Sequence, residues 1–424
     1  MTLMKIAGLI AEFNPLHNGH HWLLQTARQQ YEIDAIICVM SGSFLQRGRA
    51  AVCNKWSRAE MAVRAGCDLV LELPCCYAVR SAYYFAQGAI KQLQSAGGLC
   101  THLLFAAEAE NPALLHWAAE VLAQERPDFK ALLKHHLSHG VSFAAARAAA
   151  LQVLSEEITR SSAWLHQPNN ILAIEYLRAL HEEHFPLQPL ILARQGSGFH
   201  NPTMGTMASA TAIRTWLKHP AEEPSALRSA MPESALHLLN DEILTGRAPL
   251  WMDAIAPALL AQIRSAPMES LAQLPEMEPG LPERIYKAAR RSGTLNDLRH
   301  AIKTKRYTLS RIDRSLLYVL LNLRSEDLNA FDQCGPQYLR VLSFSELGRD
   351  LLHEVKQRHA VPIITRAQEI KSTLRDNEFP QRQAMLRLDL QATDLHALLY
   401  PEKSERYAGR DFLHSAKLIK NMAG

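Results

Sequence analysis

The sequence predicts an α/β fold in its first half, with a parallel sheet covered by helices on both faces, and a mainly α-helical second half. Short apolar runs rich in β-branched residues alternate with stretches of helical spacing up to about residue 193. Strands separated by helices are typical of parallel sheets. From about residue 218 onward, prolines interrupt the helical segments and clear strand patterns disappear.

The elements of the first half follow one another in a regular order. The predicted strands are Ile6–Ala11, Ala35–Met40, Asp68–Leu73, His102–Ala106 and Pro189–Ala193, and the predicted helices lie at His20–Arg28, Asn54–Ala65 and Ser81–Gln94. Pro74 ends the third strand, and a glycine-rich turn follows the last one. Ligands of such sheets bind at the carboxyl ends of the strands, so the loops there are the places to search for function.

The second half has fewer signals. Ser315–Leu323 and Leu347–Lys356 have helical spacing, and a short strand pair at Arg340–Phe344 and Val361–Thr365 is compatible with the pattern. We place a domain boundary near Pro220, giving a catalytic domain over 1–220 and a mainly helical domain over 221–424.

Composition excludes several classes of protein. The 424 residues carry 46 basic and 42 acidic side chains, and this balance of +4 excludes a histone-like polycation while leaving room for a local basic surface. No apolar run approaches the roughly 18 residues of a membrane span, and the apolar stretch Ile6–Ala11 is too short for a signal peptide. The seven cysteines form no CxxC pair, which favours a reduced, cytoplasmic protein without a zinc site.

The most informative motif lies between the first strand and the first helix. It reads Glu12-Phe13-Asn14-Pro15-Leu16-His17-Asn18-Gly19-His20. Gly19 permits close approach of a ligand, and the start of a helix favours anions. His17 and His20 are three residues apart, so both can point at one phosphate, each as a hydrogen-bond donor or as a cation. The alternative is a turn with solvated or capping histidines.

A second motif begins a later helix. It reads Met207-Ala208-Ser209-Ala210-Thr211-Ala212-Ile213-Arg214. Ser209 and Thr211 are suited to cap the helix or bind phosphate oxygens, and Arg214 is suited to neutralise the β- and γ-phosphates. The alternative is a plain N-cap with a surface arginine.

These two motifs resemble the signatures of the HxGH nucleotidyltransferase superfamily. Further stretches are similar to the bacterial tRNA(Met) cytidine acetate ligase family over most of the chain, from Ile6 to about Tyr400. They are Met40–Gly48, Lys55–Ala59, Asp68–Pro74, Pro168–Leu172 with Glu175–Tyr176, Arg194–His200 and Ile302–Tyr307.

The resemblance implies a Rossmann-like nucleotidyltransferase domain and an ATP-dependent ligase. Such an enzyme activates acetate as acetyl-adenylate and acetylates N4 of the wobble cytidine of elongator tRNA(Met), without acetyl-CoA. ATP is then a substrate, and we expect Mg²⁺ to arrive with it, bound mainly by phosphate oxygens, because no carboxylate cage is evident.

The resemblance also implies the ATP-binding residues. Catalytic roles fall on His17, His20 and Arg214. Other contacts fall on Asn169, Arg194, Ser209, Thr211 and Ala106, where the family has glycine; a backbone contact that needs positive φ is therefore in doubt there, and Asn170 is the alternative to Asn169. The ATP-binding stretch after the first strand comprises Ala7, Gly8, Leu9, Ile10, Ala11, Glu12, Phe13, Asn14, Pro15, Leu16, His17, Asn18, Gly19 and His20.

Two groups of cations complete the prediction. Lys55 or Arg47 would add charge to the phosphate site from the loop after the second strand. Residues 283–314 carry ten basic and three acidic side chains, a balance of +7, which suits an RNA backbone, with Tyr307 available for stacking. The candidate tRNA-binding residues are Lys303, Lys305, Arg306, Arg311 and Arg314.

Two other functions compete with this one. A small-molecule nucleotidyltransferase would share the phosphate motifs but has no evident use for the basic segment. A non-catalytic RNA-binding protein on the same fold would not need His17, His20 or Arg214. The oligomeric state is not specified by the sequence.

Overall fold

A computed structural model of the chain describes residues 4–109, 111–155, 163–194, 204–219, 225–358 and 361–420. Within them, eight strands form one sheet, which confirms the predicted α/β class. The strands are β1 (Ile6–Ala11), β2 (Ala35–Ser41), β3 (Leu69–Leu73), β4 (His102–Ala107), β5 (Gln188–Ala193), β6 (Leu339–Phe344), β7 (Ile363–Ile364) and β8 (Lys417–Leu418).

Helices cover both faces of this sheet. Those before residue 220 are α1 (Asn18–Tyr31), α2 (Lys55–Ala65), α3 (Cys75–Ala78), α4 (Ala82–Ser95), α5 (Pro112–Ala123), α6 (Pro127–Ser138), α7 (Phe143–Leu154), α8 (Pro168–Glu182) and α9 (Ala210–Lys218). Those after it are α10 (Ser225–Ala230), α11 (Glu233–Leu244), α12 (Ala256–Ser265), α13 (Met268–Leu271), α14 (Leu281–Ala289), α15 (Leu295–Ile302), α16 (Leu309–Leu321), α17 (Ser325–Cys334), α18 (Glu346–Arg358), α19 (Ala367–Arg375) and α20 (Pro380–Ala397).

The strand order is β5-β4-β1-β2-β3-β6-β7, with β8 beside β6. Strands β1 to β5 are mutually parallel, whereas β6 runs antiparallel to β3. The chain adds β2 and β3 on one side of β1, then β4 and β5 on the other. A crevice therefore opens at the carboxyl ends of β1 and β4, where such sheets bind ligands.

Alternation along the central strand explains the two cores. Ile6 and Ile10 pack into one buried cluster, and Ala7 and Leu9 into the other, on the opposite face of the sheet. Gly8 is needed for close packing, because a Cβ there would come within 2.6 Å of Leu93 on α4.

The predicted elements of the first half are confirmed, with bounds that differ by a few residues. Asn54 is the N-cap of α2, where its side chain accepts a hydrogen bond from the N–H of Ser57 (2.9 Å). Helices α5 to α8 were not predicted. The glycine-rich turn after β5 lies outside the described residues.

The second half is mainly helical, and it also completes the sheet. The suggested strand pair is confirmed as β6 and β7, and the helical stretches as α16 and α18. The antiparallel docking of β6 on β3, and β8, were not predicted. The predicted domain boundary at Pro220 lies outside the described residues and stays a prediction.

None of the cysteines in the described residues forms a disulfide. All seven cysteines are free, and six of them are buried. Among the described residues, no helix has the length and apolar character to cross a membrane.

Candidate functional site

The candidate site lies at the carboxyl edge of the sheet, around the crevice between β1 and β4. Its side chains come from the loops after β1, β4 and β5 and from the first turns of α1, α8 and α9. Ala7 to Ile10 lie inside β1, buried and paired with the neighbouring strands, so they support the site from behind. Residues from Ala11 onward reach the edge.

Residues 13–16 shape the loop after β1. Phe13 has a φ of 45° and is 1% exposed, with its ring edge-on to His20 at 5.0 Å between centroids. The Asn14 side chain accepts the N–H of Val52 (2.7 Å), the Asn14–Pro15 peptide is cis, and Leu16 is buried. The loop is thereby fixed by buried contacts, and His17 follows directly at the start of α1.

His17 and His20 cap the first helix reciprocally. His17 Nδ1 accepts the N–H of Gly19 (3.1 Å), and His20 Nδ1 accepts the N–H of His17 (3.3 Å). The rings lie 3.9 Å apart. Since each Nδ1 is used as an acceptor, the ring proton sits on Nε2, and both Nε2–H groups are the donors left for a ligand.

Both histidines are neutral at pH 7. Burial lowers the pKa of His20 to about 3, with Arg194 adding repulsion. Burial, then His20 and Arg194, hold the pKa of His17 well below its ordinary value. Of the two roles that the motif allowed, donation from a neutral ring is therefore the one that this geometry favours.

Arg214 joins the second motif to the first. Its Nη1 donates to the backbone oxygen of Asn14 (2.6 Å), and its Nη2 donates to Thr211 Oγ1 (3.1 Å). Burial lowers its pKa to about 10, with Arg49 and Arg47 as further contributors, so Arg214 stays a cation at pH 7. A half-buried cation close to other cations is electrostatically suited to an anionic ligand.

The remaining residues of the second motif hold its helix in place. Ser209 is the N-cap of α9, where its Oγ accepts the N–H of Ala212 (3.1 Å), and it is 1% exposed. The Asn18 side chain donates to the backbone oxygens of Thr206 and Ser229, both at 2.8 Å. The capping role predicted for Ser209 is confirmed, and Thr211 is engaged by Arg214.

On the other side of the crevice, Ala106 lies in the regular strand β4, paired with Leu192. It is absent from the positive-φ residues of the described chain, so alanine is unstrained here, and a contact between Ala106 and ATP stays a prediction. Glu108, two residues further on, begins the loop that faces α8.

Asn169 and Asn170 have different roles. Asn170 is fully buried, accepts two backbone N–H groups, from Glu108 (2.8 Å) and Ala109 (2.9 Å), and donates to Trp164 and Gln167. Asn169 is half-buried, and its Nδ2 donates to Glu108 Oε1 (2.6 Å). Because Asn170 is used by the framework, Asn169 is the better candidate for contact with a nucleotide.

Arg194 ends β5 beside the same carboxylate. Its Nη1 lies 3.7 Å from Glu108 Oε1, and its side chain is 18% exposed. Burial lowers its pKa, and Glu108 opposes that effect. Arg194 is also close enough to lower the pKa of both histidines, which brings the ends of β1 and β5 into one electrostatic environment.

Glu12 interacts electrostatically with Arg47 of the loop after β2 and with Arg214 of α9. Its Oε1 accepts the N–H of Gln46 (2.7 Å), and burial raises its pKa against the opposing effects of Gln46, Arg47 and Arg214. Burial lowers the pKa of Arg47, which Glu12 opposes. The prediction that Arg47 adds positive charge at this edge is consistent with its position.

Lys55 does not face the crevice, and its predicted role at the phosphates is wrong. Its Nζ is buried and lies 2.8 Å from both oxygens of Glu72 and from Asp411 Oδ1. Arg340 contacts the same two carboxylates, at 3.3 Å and 2.6 Å. The lysine therefore neutralises buried acids and ties the end of the chain to the sheet.

Arg58 lies in the stretch Lys55–Ala59 that is similar to the family, and the sequence predicts no role for it. It is 0% exposed and donates to four backbone oxygens, those of Glu12 (2.7 Å), Ser41 (3.1 Å), Cys53 (3.3 Å) and Gly42. It fastens the loop after β1 to the loop after β2. A guanidinium in the first turns of a helix gives no sequence signal for this role.

The basic segment divides into exposed and internal cations. Lys303, Lys305 and Arg306 are exposed, although Arg306 also pairs with Glu278 (2.6 Å). Arg311 is half-buried and pairs with the same glutamate (2.9 Å).

Arg314 and Tyr307 do not fit the predicted RNA surface. Arg314 is 9% exposed and pairs with Glu276 (3.0 Å), so it stabilises the helical region from within. Tyr307 is 7% exposed, and its ring is therefore not available for stacking on a base, contrary to the prediction. Tyr307 belongs to the same buried hydrophobic cluster as Ile312 and Tyr318 of α16.

The described residues contain no evident ligand set for a permanently bound metal ion. Among the residues that the structure describes, no three His, Cys, Asp or Glu side chains gather in a way that could hold a metal ion.

Comparisons with known proteins match this chain over nearly its full length. The family model for the HIGH nucleotidyl transferases matches residues 4–411. The tRNA(Met) cytidine acetate ligase of Syntrophomonas wolfei is 44% identical over 413 residues, 97% of this chain and 99% of that protein. The enzyme of the same name from Halothermothrix orenii is 36% identical over 99% of this chain and 100% of that protein.

Two solved structures superpose on this fold over nearly the whole chain. Thermotoga maritima TmcAL in its apo form superposes with a TM-score of 0.92 at 31% identity, covering 99% of this chain and 100% of that one. The same protein bound with alpha-thio ATP superposes with a TM-score of 0.91, at the same identity and coverage.

Proposed function

Because the chain belongs to the family of tRNA(Met) cytidine acetate ligases, within the HIGH nucleotidyl transferases, we propose that it activates acetate with ATP and acetylates N4 of the wobble cytidine of elongator tRNA(Met). The observation that carries the proposal is the convergence of His17, His20, Arg194 and Arg214 on one crevice at the switch point of the sheet.

In the first step, an acetate oxygen attacks the α-phosphorus of ATP. The new P–O bond forms as the bond to the β-phosphate oxygen breaks, giving acetyl-adenylate and pyrophosphate. The neutral Nε2–H groups of His17 and His20 donate to the phosphate oxygens as negative charge builds up on them. Arg214 neutralises the leaving pyrophosphate.

In the second step, the cytidine N4 attacks the acyl carbon and AMP leaves. The attacking amine loses one proton to solvent, and AMP takes the electron pair of the broken C–O bond. The amine is a weak base, but the mixed anhydride is reactive, so correct positioning of the two reactants supplies most of the acceleration. Acetyl-CoA has no role in this scheme.

Two further partners, Mg²⁺ and tRNA, belong to the proposal. Mg²⁺ would arrive with ATP, bound mainly by phosphate oxygens, and would supply charge neutralisation at the triphosphate. The tRNA is bound by the exposed cations Lys303, Lys305 and Arg306, with Arg311 at their edge. In this scheme residues 1–220 carry the ATP chemistry, and residues 221–424 bind tRNA.

Incubation with ATP, radiolabelled acetate and bulk tRNA tests the proposal. After digestion to nucleosides, label is expected in acetylated cytidine. ATP turnover with a small molecule but no label in RNA would support a small-molecule nucleotidyltransferase instead. Tight RNA binding without any ATP consumption would favour a non-catalytic RNA-binding protein.

A further inference from the structure

Glu108 lies where three parts of the candidate site meet. It directly follows β4, faces the first turn of α8 and approaches the end of β5, and its side chain is 12% exposed. None of the roles proposed above involves it.

One carboxylate contacts both polar side chains expected to touch ATP on this side. Oε1 accepts the Asn169 Nδ2–H (2.6 Å) and lies 3.7 Å from Arg194 Nη1. Oε2 accepts the backbone N–H of Asn170 (3.1 Å). Since both oxygens are held, the carboxylate cannot rotate without losing a partner.

The backbone that carries Glu108 is itself fixed. The buried Asn170 side chain accepts the N–H groups of Glu108 and Ala109 at 2.8 and 2.9 Å. Arg194 is tied to the same strand end, because its N–H donates to the Ala107 oxygen (2.8 Å). Glu108 is therefore a rigid point between the Asn169 and Arg194 side chains.

The chemistry of a carboxylate decides how its neighbours are oriented. It only accepts hydrogen bonds, so the amide of Asn169 must turn Nδ2 toward it and present Oδ1 elsewhere. Its charge attracts the Arg194 guanidinium to one place. The same charge repels a triphosphate, so its presence at an ATP site requires a compensating gain.

We infer that Glu108 is a positioning residue for ATP, which orients Asn169 and Arg194 by hydrogen bonding and ion pairing. The inference rests on the proposed ATP chemistry, and it adds a residue and a role to it. Asn169, held in this way, offers an acceptor oxygen, which suits a hydroxyl or amino group of the nucleoside better than a phosphate oxygen.

The test is ATP binding to Glu108→Gln, measured by calorimetry without acetate. Glutamine has the same shape but turns an NH₂ donor toward one of the N–H groups that the carboxylate accepts. We expect ATP to bind about tenfold more weakly. If Glu108 only repels the triphosphate, the variant binds ATP more tightly, and tighter or unchanged binding overturns the inference.

A double-mutant cycle separates positioning from a general structural effect. Because Glu108 acts in part through Asn169 and in part through Arg194, the losses of ATP affinity in Glu108→Gln and Asn169→Ala are expected to be less than additive in the double variant. Fully additive losses overturn the inference, and so does an equal loss of tRNA affinity in Glu108→Gln. In acetate-dependent pyrophosphate release, KM for ATP is expected to rise more than kcat falls.

Glu120→Gln is the matched control. Glu120 is an exposed glutamate of α5 whose Oε1 accepts a hydrogen bond from Gln124 Nε2 (2.9 Å). Its substitution should leave ATP affinity unchanged. Wild-type protein that binds no ATP would contradict the proposed function itself, whereas normal wild-type binding with an unaffected Glu108→Gln contradicts only the inference.

Discussion

At the scale of single residues, His17 and His20 each use one ring nitrogen for a hydrogen bond within the protein and leave the other for a ligand. Each Nδ1 accepts a backbone N–H at the start of α1, so each Nε2 carries the proton. With their pKa values lowered by burial, the rings are neutral donors at pH 7. In the proposed reaction the pair would therefore stabilise charge without needing to exchange a proton.

His20→Ala tests this directly. Removing one donor from a buried oxyanion site typically costs about 10²- to 10³-fold in rate, so acetate-dependent pyrophosphate release should fall by at least that much. His21→Ala is the matched control, since His21 contacts the Ala65 oxygen (3.2 Å) outside this site. Equal rates in the two variants would remove His20 from the chemistry.

A buried histidine outside the site, His396, gives a prediction about pH. His396 is 1% exposed, its Nε2 lies 3.1 Å from the Ala51 oxygen, and burial lowers its pKa to about 3. Below its ordinary pKa of about 6.5, the unfolded chain binds a proton here that the folded chain does not, so stability is lost as pH falls.

His396→Gln keeps a donor for Ala51 and removes this titration. As pH is lowered from roughly 6 to 3, the wild type should therefore lose stability relative to the variant. The difference between their free energies of unfolding should change by up to about 1.4 kcal/mol per pH unit. Urea titrations at several pH values measure it. The same change at the exposed His300 is the control, and a parallel pH profile for both variants would contradict the prediction.

At the scale of elements, Arg58 joins the loops that end β1 and β2. A lysine in its place has no fork of N–H groups to serve four carbonyl oxygens, and unsatisfied buried carbonyls cost about 1–3 kcal/mol each. Arg58→Lys should lower the free energy of unfolding by roughly 3 kcal/mol and weaken ATP binding. Arg64→Lys, on the same helix and paired with Glu60 (2.7 Å), should change stability by less than about 1 kcal/mol.

The loop between α15 and α16 presents the exposed cations. Charge reversal of Lys305 and Arg306 to glutamate should weaken tRNA binding at least tenfold and flatten its dependence on salt, while adenylate formation is spared. Reversal of the exposed Lys371 and Arg375 on α19 makes the same change of charge elsewhere. Equal losses in both pairs would point to overall charge, and loss of adenylate formation would point to misfolding.

At the scale of the whole molecule, the two halves of the chain share one sheet. Strand β6 covers the edge of β3, and Asp411 enters the buried ion cluster of Lys55, Glu72 and Arg340. Without the second half, β3 has an open edge and Lys55 loses one of its two buried acidic partners.

Residues 1–220 expressed alone should therefore aggregate or unfold more than 10 °C below the full chain, by circular dichroism and size-exclusion chromatography. The full-length chain under the same conditions is the reference. A monomeric fragment with nearly the same unfolding temperature would show that the sheet does not need β6.

The sequence by itself determined what local patterns can carry: the parallel strands β1 to β5, the histidines and glycine at the start of α1, the cap of α9 and the excess of cations at 283–314. These follow from periodicity, capping and spacing, which neighbouring residues set. Only the tertiary structure decided which cations face solvent. Lys55 and Arg314 look like surface charges in the sequence, yet contacts distant along the chain bury them. Burial, pairing and protonation depend on what packs against a side chain, and here the partners are distant along the chain: Asp411 pairs with Lys55, and Glu276, 38 residues away, pairs with Arg314.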